Sequence, residues 1–189
     1  MDHNLFQKHR MVLAYHGCDQ SVADVVLNEG GELAKSENTY DWLGSGIYFG
    51  EHGPQRAMEW ALQNTKHPAV VGAVINLGNC FDLFDRAATE SLAAFYPTFE
   101  AAIQLTGKEF PKNIPGFKGD KDNLKRELDC NVLNSTLSIL AKNGIIYDSV
   151  RGLFPEGKPV FKGSSIMAKT HIQIAVRNRA CIIGYFRPS

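Results

Sequence analysis

Apolar residues fall in two rhythms along the 189-residue chain, and the changes of rhythm mark its elements. Val12-Leu13-Ala14-Tyr15 predicts a short strand ending at His16-Gly17. Ser21-Val22-Ala23-Asp24 has the form of a capping box, in which a side chain satisfies an open helix N–H. It predicts a helix with Val22, Val25 and Val26 on one face, stopped by Gly30-Gly31. A polar loop runs from Glu32 to about Asp41, and Gly44-Ser45-Gly46 leads into a strand at Gly46-Ile47-Tyr48-Phe49. Gly53-Pro54 predicts a helix start, because proline at the first helical position gives up an N–H that has no partner there. Ala57, Trp60 and Ala61 share that helix's inner face. Ala69 to Leu77 is a continuous apolar, β-branched run and predicts a buried strand.

Residues from about Asp85 to Lys142 read as mostly helical, with a break at Pro97. Leu92, Phe95, Phe99, Ile103 and Leu105 form one apolar set, and Leu124, Leu128, Val132, Leu137 and Leu140 a second that ends at Asn143-Gly144. Between them, Lys108 to Asp122 is a loop by its Gly, Pro and Lys content. Strands return at Ile145-Ile146-Tyr147, Pro159-Val160-Phe161, His171 to Val176 and Cys181 to Phe186. Strands, then helices, then strands again predict an α+β fold. Residues 1–189 read as one domain with a helical insertion at about 85–143.

Twenty basic and twenty acidic residues cancel, which lowers the expectation of a dedicated nucleic-acid binder. Two local basic groups, Lys118, Lys121, Lys125 and Arg126, and Arg177, Arg179 and Arg187, read as solvated faces. Cys18, Cys80, Cys130 and Cys181 show no zinc-ligand spacing and sit in or beside apolar runs. They read as reduced, which predicts a cytoplasmic protein. Met1-Asp2-His3-Asn4-Leu5-Phe6 lacks the pattern of a signal peptide, and no apolar run suits a membrane span.

Three separated pieces carry chemistry. They are Tyr15-His16-Gly17, Gly44-Ser45-Gly46-Ile47-Tyr48-Phe49, and Tyr147-Asp148-Ser149-Val150 followed by His171-Ile172-Gln173-Ile174-Ala175-Val176. A histidine at a strand end can bond a ribose hydroxyl. Glycine beside it admits a ligand close to the backbone, and tyrosine offers a flat face to an aromatic ring. In order and spacing the set resembles the diphtheria-toxin and poly(ADP-ribose)-polymerase branch of the ADP-ribosyltransferase superfamily. The resemblance spans about Val12 to Phe186. It implies a split, mainly antiparallel two-sheet fold that binds NAD as substrate through His16, Gly17, Tyr48 and Ser45.

The chain departs from that pattern where the family carries a catalytic glutamate, since Gln173 is the matching residue. Glutamine can bond a 2′-hydroxyl but does not act as a general base. The resemblance therefore implies mono-ADP-ribosyl transfer rather than chain growth. Arg56 and Glu59 stand where the family has a serine and an aromatic, with Trp60 next to them. Arg56 reads either as a partner for a phosphate or acidic acceptor or as solvated. Trp60 reads as core by default, with cofactor contact as the alternative. Glu51 and Glu156 are the spare carboxylates, and Glu156 lies in the loop that meets the acceptor in this superfamily. His171 shares a strand face with Gln173 and reads as an acceptor or NAD contact or as a structural histidine.

The expected activity is transfer of ADP-ribose from NAD to an unidentified macromolecular acceptor, protein or nucleic acid. NAD glycohydrolysis and a catalytically inactive NAD- or ADP-ribose-binding module are the alternatives. A single-domain transferase of this kind is compatible with an intracellular toxin held by an inhibitory partner. No membrane partner and no metal are expected.

Overall fold

A computed structural model describes residues 10–116, 118 and 122–188. Its elements are β1 (Met11–Asp19), α1 (Gln20–Asn28), β2 (Ile47–Glu51), α2 (Pro54–Asn64), β3 (Pro68–Asn76) and β4 (Cys80–Asp82). They continue with α3 (Arg86–Thr106), β5 (Asn113–Ile114), β6 (Lys125–Arg126), α4 (Glu127–Lys142), β7 (Ser149–Phe154), β8 (His171–Val176) and β9 (Ile182–Phe186). The fold is α+β. Seven strands form one mixed sheet in the order β4-β7-β8-β2-β1-β3-β9, and β5 and β6 form a separate ribbon. All pairings are antiparallel except β4 with β7.

The strand order forces the sheet to curl. β4 stands at one edge and β3 next to the other, yet only Leu77, Gly78 and Asn79 connect them. Three linking residues bridge no more than roughly 14 Å between Asn76 and Cys80. The two halves therefore face each other across one buried cluster, which takes Ala14 and Cys18 from β1, Ile47 and Phe49 from β2, four residues of β3, Cys80, and Ile174 and Val176. A second cluster covers the outer face, where Leu133 and Leu137 of α4 pack on Phe81, Val150, Ala175 and Leu43.

The halves join at a short seam. β1 pairs with β2 at Ala14–Glu51 and Tyr15–Gly50 only, although both strands continue past that point. Along its other edge β1 pairs with β3 through all nine residues. One curled sheet with a two-rung seam thus stands where two sheets were expected.

Several local expectations are corrected. Asp19, not Ser21, caps α1; its carboxylate accepts from Ser21 N–H and Oγ–H. The buried face of α1 is Ala23 and Val26, leaving Val22 and Val25 exposed. α3 runs unbroken through Pro97, which sits on an exposed face where water can serve the carbonyl that loses its N–H partner. Leu105 of the same helix is exposed. Leu124 precedes α4 rather than belonging to it. Ile145-Ile146-Tyr147 is not a strand; β7 starts at Ser149, and both isoleucines are exposed. Pro159 makes only an isolated bridge to Met167. Lys121 and the segment Met1 to Phe6 lie outside the described residues.

The four cysteines are unpaired and buried, and burial pushes the thiols of Cys80, Cys130 and Cys181 up to about 11. Among the described residues no helix is long and apolar enough to cross a membrane, and no acidic, His or Cys cluster is placed to hold a metal ion.

Candidate functional site

The seam brings several of the expected residues together. His16 sits inside β1, which runs on to Asp19 rather than ending at His16-Gly17; it lies just beyond the last β1–β2 rung, and its Nδ1 is 2.7 Å from the carbonyl oxygen of Tyr48. A carbonyl only accepts, so Nδ1 carries the hydrogen and Nε2 presents a lone pair. Burial lowers the His16 pKa, which keeps the ring neutral and Nε2 an acceptor. The ring sits 5.8 Å from Phe49, on the inner face. Tyr48 points the other way and packs in the outer cluster. Its hydroxyl donates to Gly44 O at 2.8 Å and accepts from Leu43 N–H at 3.0 Å, and burial raises its pKa. His16 thus meets the backbone of Tyr48 rather than its ring, and the phenol is already committed to the 43–44 turn.

Gly17 serves packing. A Cβ built there would stand 2.1 Å from Ala57 O, so a side chain would displace α2 from the sheet. Ala57 and Ala61 are the small residues that let this helix lie so close.

Gln173 lies on β8 between two glycines, Gly50 of β2 and Gly152 of β7. Its amide is fixed in a directed chain. The indole Nε1–H of Trp42 donates to Gln173 Oε1 at 2.8 Å. Gln173 Nε2 lies 2.7 Å from His171 Nε2, and His171 Nδ1 lies 2.8 Å from Lys169 O. The last contact puts the His171 hydrogen on Nδ1, so Nε2 accepts from the Gln173 amide. Burial lowers the His171 pKa, in keeping with a neutral ring. With Trp42 on its oxygen and His171 on its nitrogen, the Gln173 amide is fixed in orientation and has one N–H not yet used. Its oxygen keeps a second lone pair, so toward a hydroxyl Gln173 has one N–H to donate and one acceptor site left.

Trp42 is the residue that sequence reasoning missed. Its ring stands 5.0 Å from Phe154, edge on, under the guanidinium of Arg126. It also fills the space over Gly152, where a Cβ would come within 2.9 Å of the indole. Position 42 lies 131 residues from Gln173, in a segment read only as the polar loop's end and the approach to β2. A lone tryptophan beside polar residues was the one available signal.

Arg56 and Glu156 meet beside this chain. Arg56 Nη2 lies 2.7 Å from Glu156 Oε2, and Arg56 also pairs with Glu59, which Lys169 approaches at 3.2 Å. Arg56 is therefore ion-paired rather than solvated, and Glu156 is neutralised in place. Glu51 is held by Arg151 through two bonds of 2.6 and 3.0 Å on the inner face. Trp60 is 53% exposed, so the core reading is corrected; Ala57 and Ala61 carry the buried face of α2 alone. Ser45 lies at the opposite end of β2, where its N–H meets Asn134 and its carbonyl accepts from Arg177. Arg126 and Arg179, assigned to solvated faces, are both engaged, the first over Trp42 and Phe154 and the second with Glu32.

Two cavities, of about 870 and 280 Å³, open near Tyr147 and Asp148. Of the expected site residues, only Ser45 lines either. No protein-family model matches the chain, and no curated protein matches it.

Proposed function

We propose that the seam is an NAD site and that the protein is a mono-ADP-ribosyltransferase of the ADP-ribosyltransferase fold. One observation carries this reading. β1 and β2 part just beyond Tyr15–Gly50, His16 bridges the gap, and Gln173 stands next to Gly50 on the adjoining strand. A gap between strands offers backbone edges to a planar carboxamide; His16 stands on the inner face and Gln173, by alternation with Ile174 and Val176, on the outer one, so one ligand meets both only by passing through the gap. The His16 Nε2 lone pair accepts from one ribose hydroxyl. The remaining Gln173 N–H donates to another.

Cleavage of the nicotinamide–ribose bond passes through an oxocarbenium-like state, which a carboxylate stabilises and an amide does not. Gln173 therefore orients NAD, and the acceptor supplies the nucleophile. Nicotinamide leaves with the bonding electrons, and a proton leaves the acceptor to solvent. An inactive NAD-binding module is the second reading, favoured by an amide already held at both ends.

Incubation with NAD labelled in the adenylate separates the outcomes. Label on a macromolecule supports transfer, free ADP-ribose supports hydrolysis, and binding without turnover supports the module. Absence of binding overturns all three.

A further inference from the structure

Arg177, just after β8, differs from the other partly buried arginines. Arg10, Arg56, Arg126 and Arg151 each have a carboxylate within ion-pair distance. Arg177 has none among the described residues. Its Nη1 bonds only neutral oxygens, Ser45 O at 3.0 Å and Asn134 Oδ1 at 3.3 Å. A guanidinium taken partly out of water without an anion is costly, and burial does lower its pKa.

The smaller cavity, about 280 Å³, opens onto this guanidinium, with Lys35, Ser45 and Asn178 around it. Asp148 also lines it and accepts from Asn178 Nδ2 at 2.8 Å and Asn79 N–H at 2.9 Å, so its carboxylate is held toward those two groups while Arg177 and Lys35 outnumber it in charge. The cavity shares Ile146, Tyr147 and Asp148 with the larger one, whose walls add Asn79, Asp85 and Ser91. Both are open clefts, and the larger falls in the volume range of sites for small organic ligands, roughly 300–1,000 Å³.

We infer that these adjacent cavities bind a phosphorylated, hydroxyl-bearing small molecule, its phosphate on Arg177 and Lys35 and its body against Tyr147. Guanidinium presents a planar pair of donors that matches phosphate oxygens. Asp85, Ser91 and Asn79 supply acceptors and donors for hydroxyls. This site is separate from the seam and does not depend on NAD binding there.

Calorimetric titration with ribose 5-phosphate, inorganic phosphate and ribose tests it. Ribose 5-phosphate should bind, and inorganic phosphate should compete at least tenfold more weakly. Ribose should give no measurable heat. Arg177→Gln and Lys35→Glu should each weaken ribose 5-phosphate by about tenfold or more. Lys35 is exposed, so its variant stays informative even if Arg177→Gln does not fold. Equal affinity for ribose and ribose 5-phosphate, or an unchanged affinity in Lys35→Glu, overturns the site. Equal affinity for inorganic phosphate overturns the assignment of the larger cavity.

Discussion

The indole of Trp42 donates to the side-chain oxygen of Gln173 at 2.8 Å, joining two residues 131 positions apart in the chain. That bond and the one from Gln173 Nε2 to His171 together decide which end of the amide faces a ligand. Trp42→Phe keeps an aromatic ring and removes the donor. The Gln173 amide then keeps only its hold on His171, and turnover of NAD should fall about tenfold, the scale of one hydrogen bond. NAD affinity should change much less. A steady-state assay with separate kcat and KM is the check, and a pure KM effect would contradict the positioning role.

Replacing Gln173 by glutamate puts a carboxylate against His171 Nε2. An anion beside an imidazole favours the charged ring, so the His171 pKa should rise by about one unit or more. NMR titration of the ring reads this directly. NAD hydrolysis should be kept or increased, because the carboxylate supplies charge where positive charge grows. An unmoved His171 titration would mean that the two side chains do not touch in solution.

Gly17→Ala is expected to fail by packing rather than by ligand loss. The new Cβ falls on Ala57 O at 2.1 Å, and α2 has to move. A destabilisation of about 1–3 kcal/mol or more follows for such overpacking. A denaturation curve with an unchanged midpoint would return Gly17 to a role in ligand approach alone.

His16 and His171 both have pKa values lowered by burial from the ordinary 6.5. The unfolded chain therefore binds protons that the folded chain refuses. Their contribution to stability is fully present above pH 6.5 and is lost as pH falls from there through the folded values. Urea midpoints should drop as the buffer is taken from about pH 8 to about pH 5. His16→Asn retains a donor for Tyr48 O without a titrating ring, and should flatten part of that fall.

Trp60 supplies a control on the same helix as Arg56. Its ring is mostly in solvent, so Trp60→Ser should change stability by no more than about 0.5 kcal/mol. A large loss would place the ring in a contact that the exposed position does not provide.

Periodicity made some elements plain in the sequence. β8 falls on His171–Val176, where alternation and flanking polar residues agree, and α2 starts at Pro54 as its proline requires. Apolar character without periodicity misled at Ile145-Ile146-Tyr147, because tertiary pairing begins two residues later, with Ser149 against Cys80. Pro97 was read through propensity alone, which does not register that its helix face is wet. His16 and Gln173 could be picked out because each carries a chemical group at a strand position. Trp42 could not, because its role arises only when β7 and β8 bring Gly152 and Gln173 beside the loop. Likewise, Arg56 and Glu156 are 100 residues apart, and no local rule joins them.

Glu51, Arg151, Asp82 and Arg10 form an unbroken run of ion pairs on the inner face. The run ties β2, β7 and β4 to the residue that precedes β1. It lies toward the same end of the seam as the Ala14–Glu51 rung. The two halves of the sheet are pinned there and unpaired beyond Tyr15, like the arms of a clothes-peg. With two backbone rungs at this joint, the ion pairs add side-chain links where the strands share few main-chain bonds.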